Sequence, residues 1–554
     1  MVVNNSRICL RILPAILCLC LIPHLALPAP AADLASAGQL YRAGKFADAE
    51  AAYEQVLKAT PDLVAAQVGM IRSMLKQQKI DDALQKVNAA VAANPNSAAL
   101  LGTKGEVLFR LGEMADAERA YLQAIKIDPK EVHSRLGLAH LYSSYSLYGR
   151  AYGELQLAHE IAPDDIDVQR AWLRMLPRKE RLAALEAYLA SPHPDDAEDT
   201  KHLEESLQFL KATVDAPIHR CRLVSKVDQT TTKLESMYRD AQHLRGIGLT
   251  VSLNGHNNRL LLDTGAGGII VSRKVAEKSD LKRISTVHYG GVGDKGLQEG
   301  YTAVADKIRV GELEFEDCVV QVSEQKSVAD EDGLIGADVF GSYLVDLDLP
   351  DMKLKLSPLP KRPDDVTAPK SLNSEGESQS TAEQDEKPAA DAGADKKADA
   401  TKRPVPRDRY IAPEMANWTK VFRFGHMLLV PTNVNESKAM LFGLDTGAFA
   451  NLLSMRAGKQ VSRLSAEDAL HVRGVSGQVA KVYRSGSVTL QFGHMLQPGQ
   501  NMVSFDLAGI SGHLGTEVSG FLGFSMLQVL DVKLDYRDGL VDFSCGPPYC
   551  TKGR

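Results

Sequence analysis

A constant interval of 34 residues dominates the first third of the chain. Prolines recur at this interval, at Pro61, Pro95, Pro129 and Pro163. Alanines keep the same interval, at Ala49, Ala83, Ala117 and Ala151. Each interval holds two stretches with apolar residues three and four apart, which is the spacing of amphipathic helices, and its proline ends the second helix. The pattern therefore predicts stacked helix pairs in a solenoid, with four units over residues 33–168 and helical capping segments to about residue 210.

The repeated segments have a recognisable composition. "AGKFADAEAAYEQVLKATPD" and "LGEMADAERAYLQAIKIDPK" resemble the tetratricopeptide repeat (TPR). The resemblance implies a curved surface that binds a protein partner. The alternative is a rigid spacer or an oligomerisation surface with no ligand of its own. Nothing in this region carries catalytic chemistry.

The first 31 residues predict an export signal. Arg7 and Arg11 precede an apolar run that Pro14 and Pro23 interrupt, and Ala29–Ala31 includes small residues suited to cleavage. We expect an exported protein, periplasmic or extracellular, which contacts a membrane only if this segment stays uncleaved. The net charge of −6, without a basic cluster interleaved with aromatic residues, argues against a nucleic-acid partner.

Four cysteines follow the predicted signal: Cys221, Cys318, Cys545 and Cys550. An even number permits disulfides in an exported chain. "CGPPYC" closes a short loop, which makes Cys545–Cys550 a possible disulfide; the alternative is two free thiols in a tail. No C-x-x-C pair or histidine partner points to catalytic or zinc-binding cysteines.

The periodicity changes to two after about residue 215. Short alternating runs separated by Gly, Asn or Asp indicate β-strands. Residues 361–408 contain no aromatic side chain and are rich in Pro, Ala, Glu, Asp, Lys and Ser, which predicts a disordered linker. The predicted fold class is a multidomain α + β protein: an all-α solenoid, an all-β lobe at 215–360, a second all-β lobe at 409–545, and a tail at 546–554.

Both β segments contain the sequence Asp-Thr-Gly-Ala, beginning at Asp263 and at Asp445, directly after an apolar strand. A carboxylate in that position lowers the stability of the fold unless it is paired or hydrogen-bonded, so its presence suggests a functional role. A glycine-rich hairpin follows each aspartate after 27 or 29 residues, and two apolar residues with a glycine follow later, ending at Gly336 and Gly523. The shared order indicates one ancestral lobe present twice.

These features resemble the retropepsin-like aspartic peptidases, in which each half of a two-lobed site carries a D-T-G-A sequence. The resemblance implies a catalytic pair, Asp263 and Asp445, that shares one proton and activates a water molecule without a metal or organic cofactor. It implies supporting active-site loops at Thr264, Gly265, Ala266, Thr446, Gly447 and Ala448. It implies flaps over the substrate at Gly291, Gly293, Gly474 and Gly477.

The resemblance has two departures. Gly267 and Phe449 follow D-T-G-A where the family commonly has a small polar or acidic residue. Phe449 either narrows a subsite or marks a lobe that has drifted. Pairing of the lobes within one chain is the simplest assembly, and homodimers of like lobes are the competitor.

Two functions from different classes follow from these patterns. The sequence predicts an exported aspartic endopeptidase that acts on protein or peptide substrates, with a possible protein partner on the repeat surface. The competing hypothesis is a non-catalytic scaffold whose lobes bind peptides without cutting them.

Overall fold

The helical region forms four antiparallel helix pairs and a helical cap. The computed structural model describes residues 29–216, 221–240, 243–324, 332–363, 406–467 and 469–546. The helix pairs are α1 Ala29–Arg42 with α2 Phe46–Ala59, α3 Val64–Lys76 with α4 Ile80–Ala93, α5 Ala98–Arg110 with α6 Met114–Ile127, and α7 Val132–Ser144 with α8 Tyr148–Ile161. The cap comprises α9 Ile166–Trp172, α10 Arg178–Leu189 and α11 Ala197–Thr213.

The turn between the two helices of each pair has a left-handed backbone. Its φ angles are 70° at Gly44, 60° at Gln78, 75° at Gly112 and 58° at Ser146. These positions are 34 residues apart, so the sequence period places the four turns in a row along one edge of the solenoid. We call this row the turn edge.

The turn edge packs against the second β lobe. The Thr516 hydroxyl donates a hydrogen bond of 2.7 Å to the carbonyl of Phe109, and Arg456 forms an ion pair of 2.6 Å with Asp81. Met114, at the start of α6, belongs to the same buried apolar cluster as the strands of that lobe. The solenoid is therefore docked on the lobe through buried apolar contact as well as polar bonds.

The strands of lobe 1 lie between residues 222 and 358, and those of lobe 2 between 419 and 544. Lobe 1 contains β1 Arg222–Leu223, β2 Thr230–Asp240, β3 His243–Leu253, β4 His256–Asp263, β5 Ile269–Ser272, β6 Lys282–Tyr289, β7 Gln298–Val310, β8 Leu313–Ser323, β9 Gly333–Gly336, β10 Tyr343–Asp348, β11 Lys353–Pro358 and helix α12 Arg273–Lys278. Lobe 2 begins with β12 Thr419–Lys420, β13 Phe422–Phe424, β14 Met427–Val434, β15 Met440–Asp445, β16 Leu452–Ser454, α13 Met455–Val461, β17 Leu464–Ala466, β18 Arg473–Gly474 and β19 Gly477–Gln478. It continues with β20 Tyr483–Phe492, β21 Met495–Phe505, α14 Ala508–Leu514, β22 Gly520–Gly523, α15 Phe524–Leu527, β23 Asp531–Asp535 and β24 Leu540–Ser544.

A shared sheet joins the two lobes. The last strands of lobe 1, β10 and β11, pair with each other, and β10 also pairs antiparallel with β23 of lobe 2, with Val345 opposite Leu534. The side chains of Val345 and Leu534 are fully buried. One apolar core runs through both lobes, so their relative position is set by backbone hydrogen bonds and by packing.

The predicted fold class is confirmed: a TPR-like helical repeat is followed by a region of β-sheets. Three predictions lie wholly or largely outside the described residues: the export signal at 1–31, the linker at 361–408, and the Cys545–Cys550 disulfide, because Cys550 is not among them. A disulfide that the sequence did not single out joins Cys221 to Cys318. In the described part of the chain, no helix combines the length and the apolar character needed to cross a bilayer.

Candidate active site

Both aspartates stand at the end of a strand with the same surroundings. β4 lies parallel to β9, with Asp263 opposite Gly336, and β15 lies parallel to β22, with Asp445 opposite Gly523. The residues just before each aspartate are buried, from Leu260 to Leu262 and from Leu441 to Leu444. The apolar strand anchors the turn that begins at each aspartate.

The structure brings the two carboxyl groups together. Asp263 and Asp445 are hydrogen-bonded to each other through their side chains. Each also accepts a backbone N–H from its own turn: Gly265 donates to Asp263 at 2.9 Å, and Ala448 donates to Asp445 at 2.7 Å. A Cβ at Gly447 would overlap the Asp263 carboxyl group, so the glycine is required for this close approach.

The threonines of the two turns bond across the lobe interface. The backbone N–H of Thr264 donates to Oγ1 of Thr446 at 3.1 Å, and the N–H of Thr446 donates to Oγ1 of Thr264 at 3.0 Å. The Thr446 hydroxyl then donates to the carbonyl of Leu262 at 2.8 Å. Both threonines are buried. These reciprocal hydrogen bonds, which we call the threonine grip, fix the two turns, and hence the two carboxylates, relative to each other.

The electrostatics favour one shared proton. Burial raises the pKa of Asp263, although hydrogen bonds to its own turn and the charge of Arg245 oppose the rise. Burial raises the pKa of Asp445 further, and the neighbouring Asp263 carboxylate adds to it. Two adjoining carboxylates repel each other when both are ionised, so the pair keeps a proton at a pH where an isolated aspartate has lost its own. Titration belongs to the pair.

The two predicted flaps meet each other. The loop after β6 contains Gly291 and Gly293, and the β18–β19 hairpin contains Gly474 and Gly477. The backbone N–H of Gly291 donates to the hydroxyl of Ser476, at the tip of the opposite hairpin, at 3.2 Å. The tips of the two flaps are therefore hydrogen-bonded to each other.

Three of these four flap glycines are required by a positive φ angle or by close contact with the backbone of the other flap. Gly293 has a φ of 131° and Gly477 a φ of 94°, which L-residues rarely adopt. A Cβ on Gly474 would overlap the backbone of Val292 in the other flap. The paired flaps thus depend on close backbone approach between the two lobes.

His426, which no sequence motif singles out, lies beside the lobe 1 turn. It sits in the turn between β13 and β14 of lobe 2, and its ring hydrogen-bonds to the backbone of Gly265. Burial lowers the pKa of His426 to about 4, so the imidazole is neutral above that pH. A Cβ on Gly267 would lie 2.9 Å from Nδ1 of His426. The closeness of the His426 ring therefore explains why position 267, one of the two departures from the family pattern, is a glycine.

We expect Gly267→Ala to lower the free energy of unfolding by about 1–3 kcal/mol, because the added methyl group overpacks against the His426 ring. Combining it with His426→Ala removes the closest contacts and recovers part of that loss. Urea unfolding of the two single variants and the double variant measures the coupling. Gly153→Ala is the matched control, because nothing lies within 4 Å of a Cβ there. Equal stability of Gly267→Ala and wild type would contradict the assignment.

Asp338 and Asn451 also lie outside the residues that the sequence predicts for the site, and each supports an aspartate turn. The Asp338 carboxylate accepts the backbone N–H of Gly268 at 3.0 Å, and the amide oxygen of Asn451 accepts that of Gly523 at 2.8 Å. Burial raises the pKa of Asp338 to about 7. Asp338 follows the apolar strand "LIG" in the sequence, a signal of the same kind that singled out Asp263.

The second departure from the family pattern is Phe449, an exposed aromatic residue in the loop that follows Asp445. It directly follows Ala448, whose N–H donates to Asp445, and the residue is 47% exposed. Its backbone carbonyl accepts the N–H of Ser525 at 2.8 Å, which holds this part of the turn in place. The arrangement leaves an apolar ring exposed at the surface, four residues after Asp445 in the sequence.

Family models match most of the helical repeat region and much of lobe 1. Residues 249–339 match the family model described as aspartyl protease, a stretch that contains Asp263 and the first flap. Residues 27–138 match the model described as tetratricopeptide repeat-like domain. The chain therefore contains a TPR-like domain and an aspartyl protease domain.

Individual relatives are similar over limited stretches. Cellulose synthase operon protein C of Pseudomonas fluorescens is 31% identical over 121 residues, which cover 20% of this chain and 10% of that protein. The chain thus spans about a tenth of the length of this curated relative. A TPR protein of Thermus thermophilus shares 21% identity over 32% of this chain and 99% of its own, with a TM-score of 0.27. One from Parabacteroides merdae shares 17% identity over 34% and 74%, with a TM-score of 0.24.

Proposed function

We propose that this protein is an exported aspartic endopeptidase with one catalytic site, to which each lobe contributes one aspartate. The observation that carries the proposal is the direct hydrogen bond between the carboxyl groups of Asp263 and Asp445, on turns gripped by Thr264 and Thr446. A buried pair of like carboxyl groups is costly to fold, and acid–base catalysis gives it a use.

The reaction needs only this pair, a water molecule and a peptide. The ionised carboxylate takes a proton from water, and the water oxygen attacks the scissile carbonyl carbon. The protonated carboxyl group hydrogen-bonds the carbonyl oxygen as negative charge develops on it. The tetrahedral intermediate then collapses: the C–N bond breaks, the amine nitrogen receives a proton from the dyad, and one carboxyl group retains a single proton.

The surroundings of the dyad support a peptide substrate. The flaps contact each other through Gly291 and Ser476, so substrate entry requires these backbone contacts to open. Phe449, four residues after Asp445 in the sequence, offers an exposed apolar ring. We propose that a neighbouring subsite accepts an apolar side chain of the substrate.

Two further features belong to the proposal. The Cys221–Cys318 disulfide suits an oxidising compartment and so supports export to the periplasm or the cell exterior. Lobe 2 contacts the turn edge of the solenoid at Gln78, Gly112 and Ser146, so a protein partner or a substrate segment would bind another face of the repeat region. TPR repeats in general bind proteins, which supports a partner of that class.

The test is digestion of a peptide library and of an unfolded protein across a range of acidic and neutral pH. We expect cleavage at internal bonds, with apolar residues preferred beside the cut, and inhibition by a peptide that carries a hydroxyl group in place of the scissile carbonyl. Absence of cleavage at every pH, together with no binding of that inhibitor, would overturn the proposal.

The second candidate is a non-catalytic scaffold, in which the repeats bind a partner and the lobes bind peptide without cutting. The similarity to cellulose synthase operon protein C favours it, because that name does not describe a protease. A scaffold would bind the hydroxyl-bearing peptide no more tightly than its parent peptide, whereas a peptidase binds a mimic of the transition state more tightly.

A further inference from the structure

We propose that Glu198, His202 and His513 form a zinc site that links the helical cap to lobe 2. Glu198 and His202 lie four residues apart on one face of α11, and His513 is in the last turn of α14. One ligand atom from each side chain lies within 4.8 Å of the others. The rings of His202 and His513 meet edge to face, with centroids 5.8 Å apart.

The donor set suits zinc by its chemistry. Two imidazoles and one carboxylate are a usual zinc set, which leaves a fourth tetrahedral position for water. Ligand bonds of about 2.0–2.2 Å require donor atoms roughly 3.4 Å apart, so small rotations of these side chains close the site. Glu198 and His513 are exposed, which allows such rotation and lets the ion enter from solvent.

A buried carboxylate orients one of the histidines. Oε2 of Glu205 lies 3.4 Å from Nδ1 of His202, which leaves Nε2 of that ring to face a metal ion. The Glu205 side chain is 10% exposed. A carboxylate behind a metal-binding histidine fixes the ring and raises its basicity, and such partners are a regular part of zinc sites.

The same carboxylate ties α11 to lobe 1. The backbone N–H of His288, in β6, donates to Oε2 of Glu205 at 3.0 Å, and the His288 ring contacts the other oxygen. β6 leads into the flap that contains Gly291. An ion at Glu198, His202 and His513 would therefore connect the cap to lobe 2 next to its attachment to the lobe 1 flap.

A second histidine–carboxylate cluster, His133 with Asp165 and Asp167, provides a contrast. Nε2 of His133 already lies 3.6 Å and 3.5 Å from the two carboxylates, and Oδ1 of Asp165 caps α9. The Nε2 atom of His133 is therefore already directed at the carboxylates of Asp165 and Asp167. This cluster supplies a matched control for the experiment.

Zinc content and affinity test the proposal directly. Tag-free full-length protein is dialysed against zinc chloride, its zinc is measured by elemental analysis, and its affinity is measured by competition with a colorimetric chelator. We expect one zinc ion per chain. His202→Ala, His513→Ala and Glu198→Gln should each weaken binding at least about tenfold, and Glu205→Gln by about 10–100-fold. His133→Ala should bind zinc as wild type does.

A thermal melt separates zinc binding from folding. We expect zinc to raise the Tm of wild type and of His133→Ala, but not that of His513→Ala, which changes an exposed side chain and should fold normally. The proposal is overturned if wild type retains no zinc, or if His202→Ala and His513→Ala retain it with wild-type affinity. These readouts do not depend on peptidase activity, so the two proposals can fail separately.

Discussion

Asp263→Asn and Asp445→Asn should each abolish peptide hydrolysis, with a fall in kcat/KM of at least about 10³-fold, within the range that positioned acid–base groups contribute. An asparagine cannot take a proton from water, and it cannot pass one to the leaving amine. Because the two carboxyl groups are hydrogen-bonded to each other, loss of either one disables the pair. The measurement is the rate of cleavage of a peptide selected from the library, with the folded state checked by circular dichroism.

Two controls sharpen this expectation. Asp306→Asn removes an exposed carboxylate of lobe 1 that pairs with Lys282, and it should leave cleavage unchanged. A mixture of Asp263→Asn and Asp445→Asn chains should stay inactive, because each site takes both aspartates from one chain. Recovery of activity on mixing would show that sites form between chains. Activity retained in either single variant would reject a shared dyad.

Replacing either threonine of the threonine grip with valine should also have a large effect. Thr264→Val leaves the buried N–H of Thr446 without its acceptor, at a cost of about 1–3 kcal/mol. Thr446→Val should cost more, because the N–H of Thr264 loses its acceptor and the carbonyl of Leu262 loses its donor. Hydrolysis should fall about 10²-fold in Thr446→Val, since a displacement of about 1 Å in a reacting group has that effect.

Serine variants provide the matched comparison. Thr264→Ser and Thr446→Ser keep the hydroxyl group and remove only a methyl group, so both should stay close to wild type in activity. Denaturant unfolding and kcat/KM, measured on all four variants, separate hydrogen bonding from packing. If the valine and serine variants behave alike, or if Thr264→Val is more damaging than Thr446→Val, these hydrogen bonds do not hold the two turns together.

Local and repeated signals made much of the architecture predictable. The 34-residue interval predicted helix pairs because a proline ends each second helix, and the observed pairs keep that interval. The repeated Asp-Thr-Gly-Ala sequence pointed to two equivalent turns, because one carboxylate after an apolar strand is costly and two suggest a shared use. The equal register of Asp263 with Gly336 and of Asp445 with Gly523 shows why the glycines recur.

Contacts between distant parts of the chain were not predictable in this way. The Cys221–Cys318 disulfide closes a separation of 97 residues, and the bond between Phe109 and Thr516 spans 407. Neither the spacing of the cysteines nor the period of the helical repeat predicts which surfaces of the folded chain contact each other. His426 carries no motif, and its place beside Gly267 depends on how lobe 2 sits against lobe 1. Such features follow from tertiary packing, which a periodic pattern does not encode.

Carboxyl ¹³C NMR of selectively labelled aspartate measures whether Asp263 and Asp445 hold one proton in common. The Asn variants identify the two signals. We expect Asp445 to stay protonated well above the ordinary aspartate pKa, and Asp263→Asn to lower the pKa of Asp445 by removing the neighbouring charge. Two signals that titrate independently near the ordinary value, with Asp445 unaffected by Asp263→Asn, would contradict a shared proton.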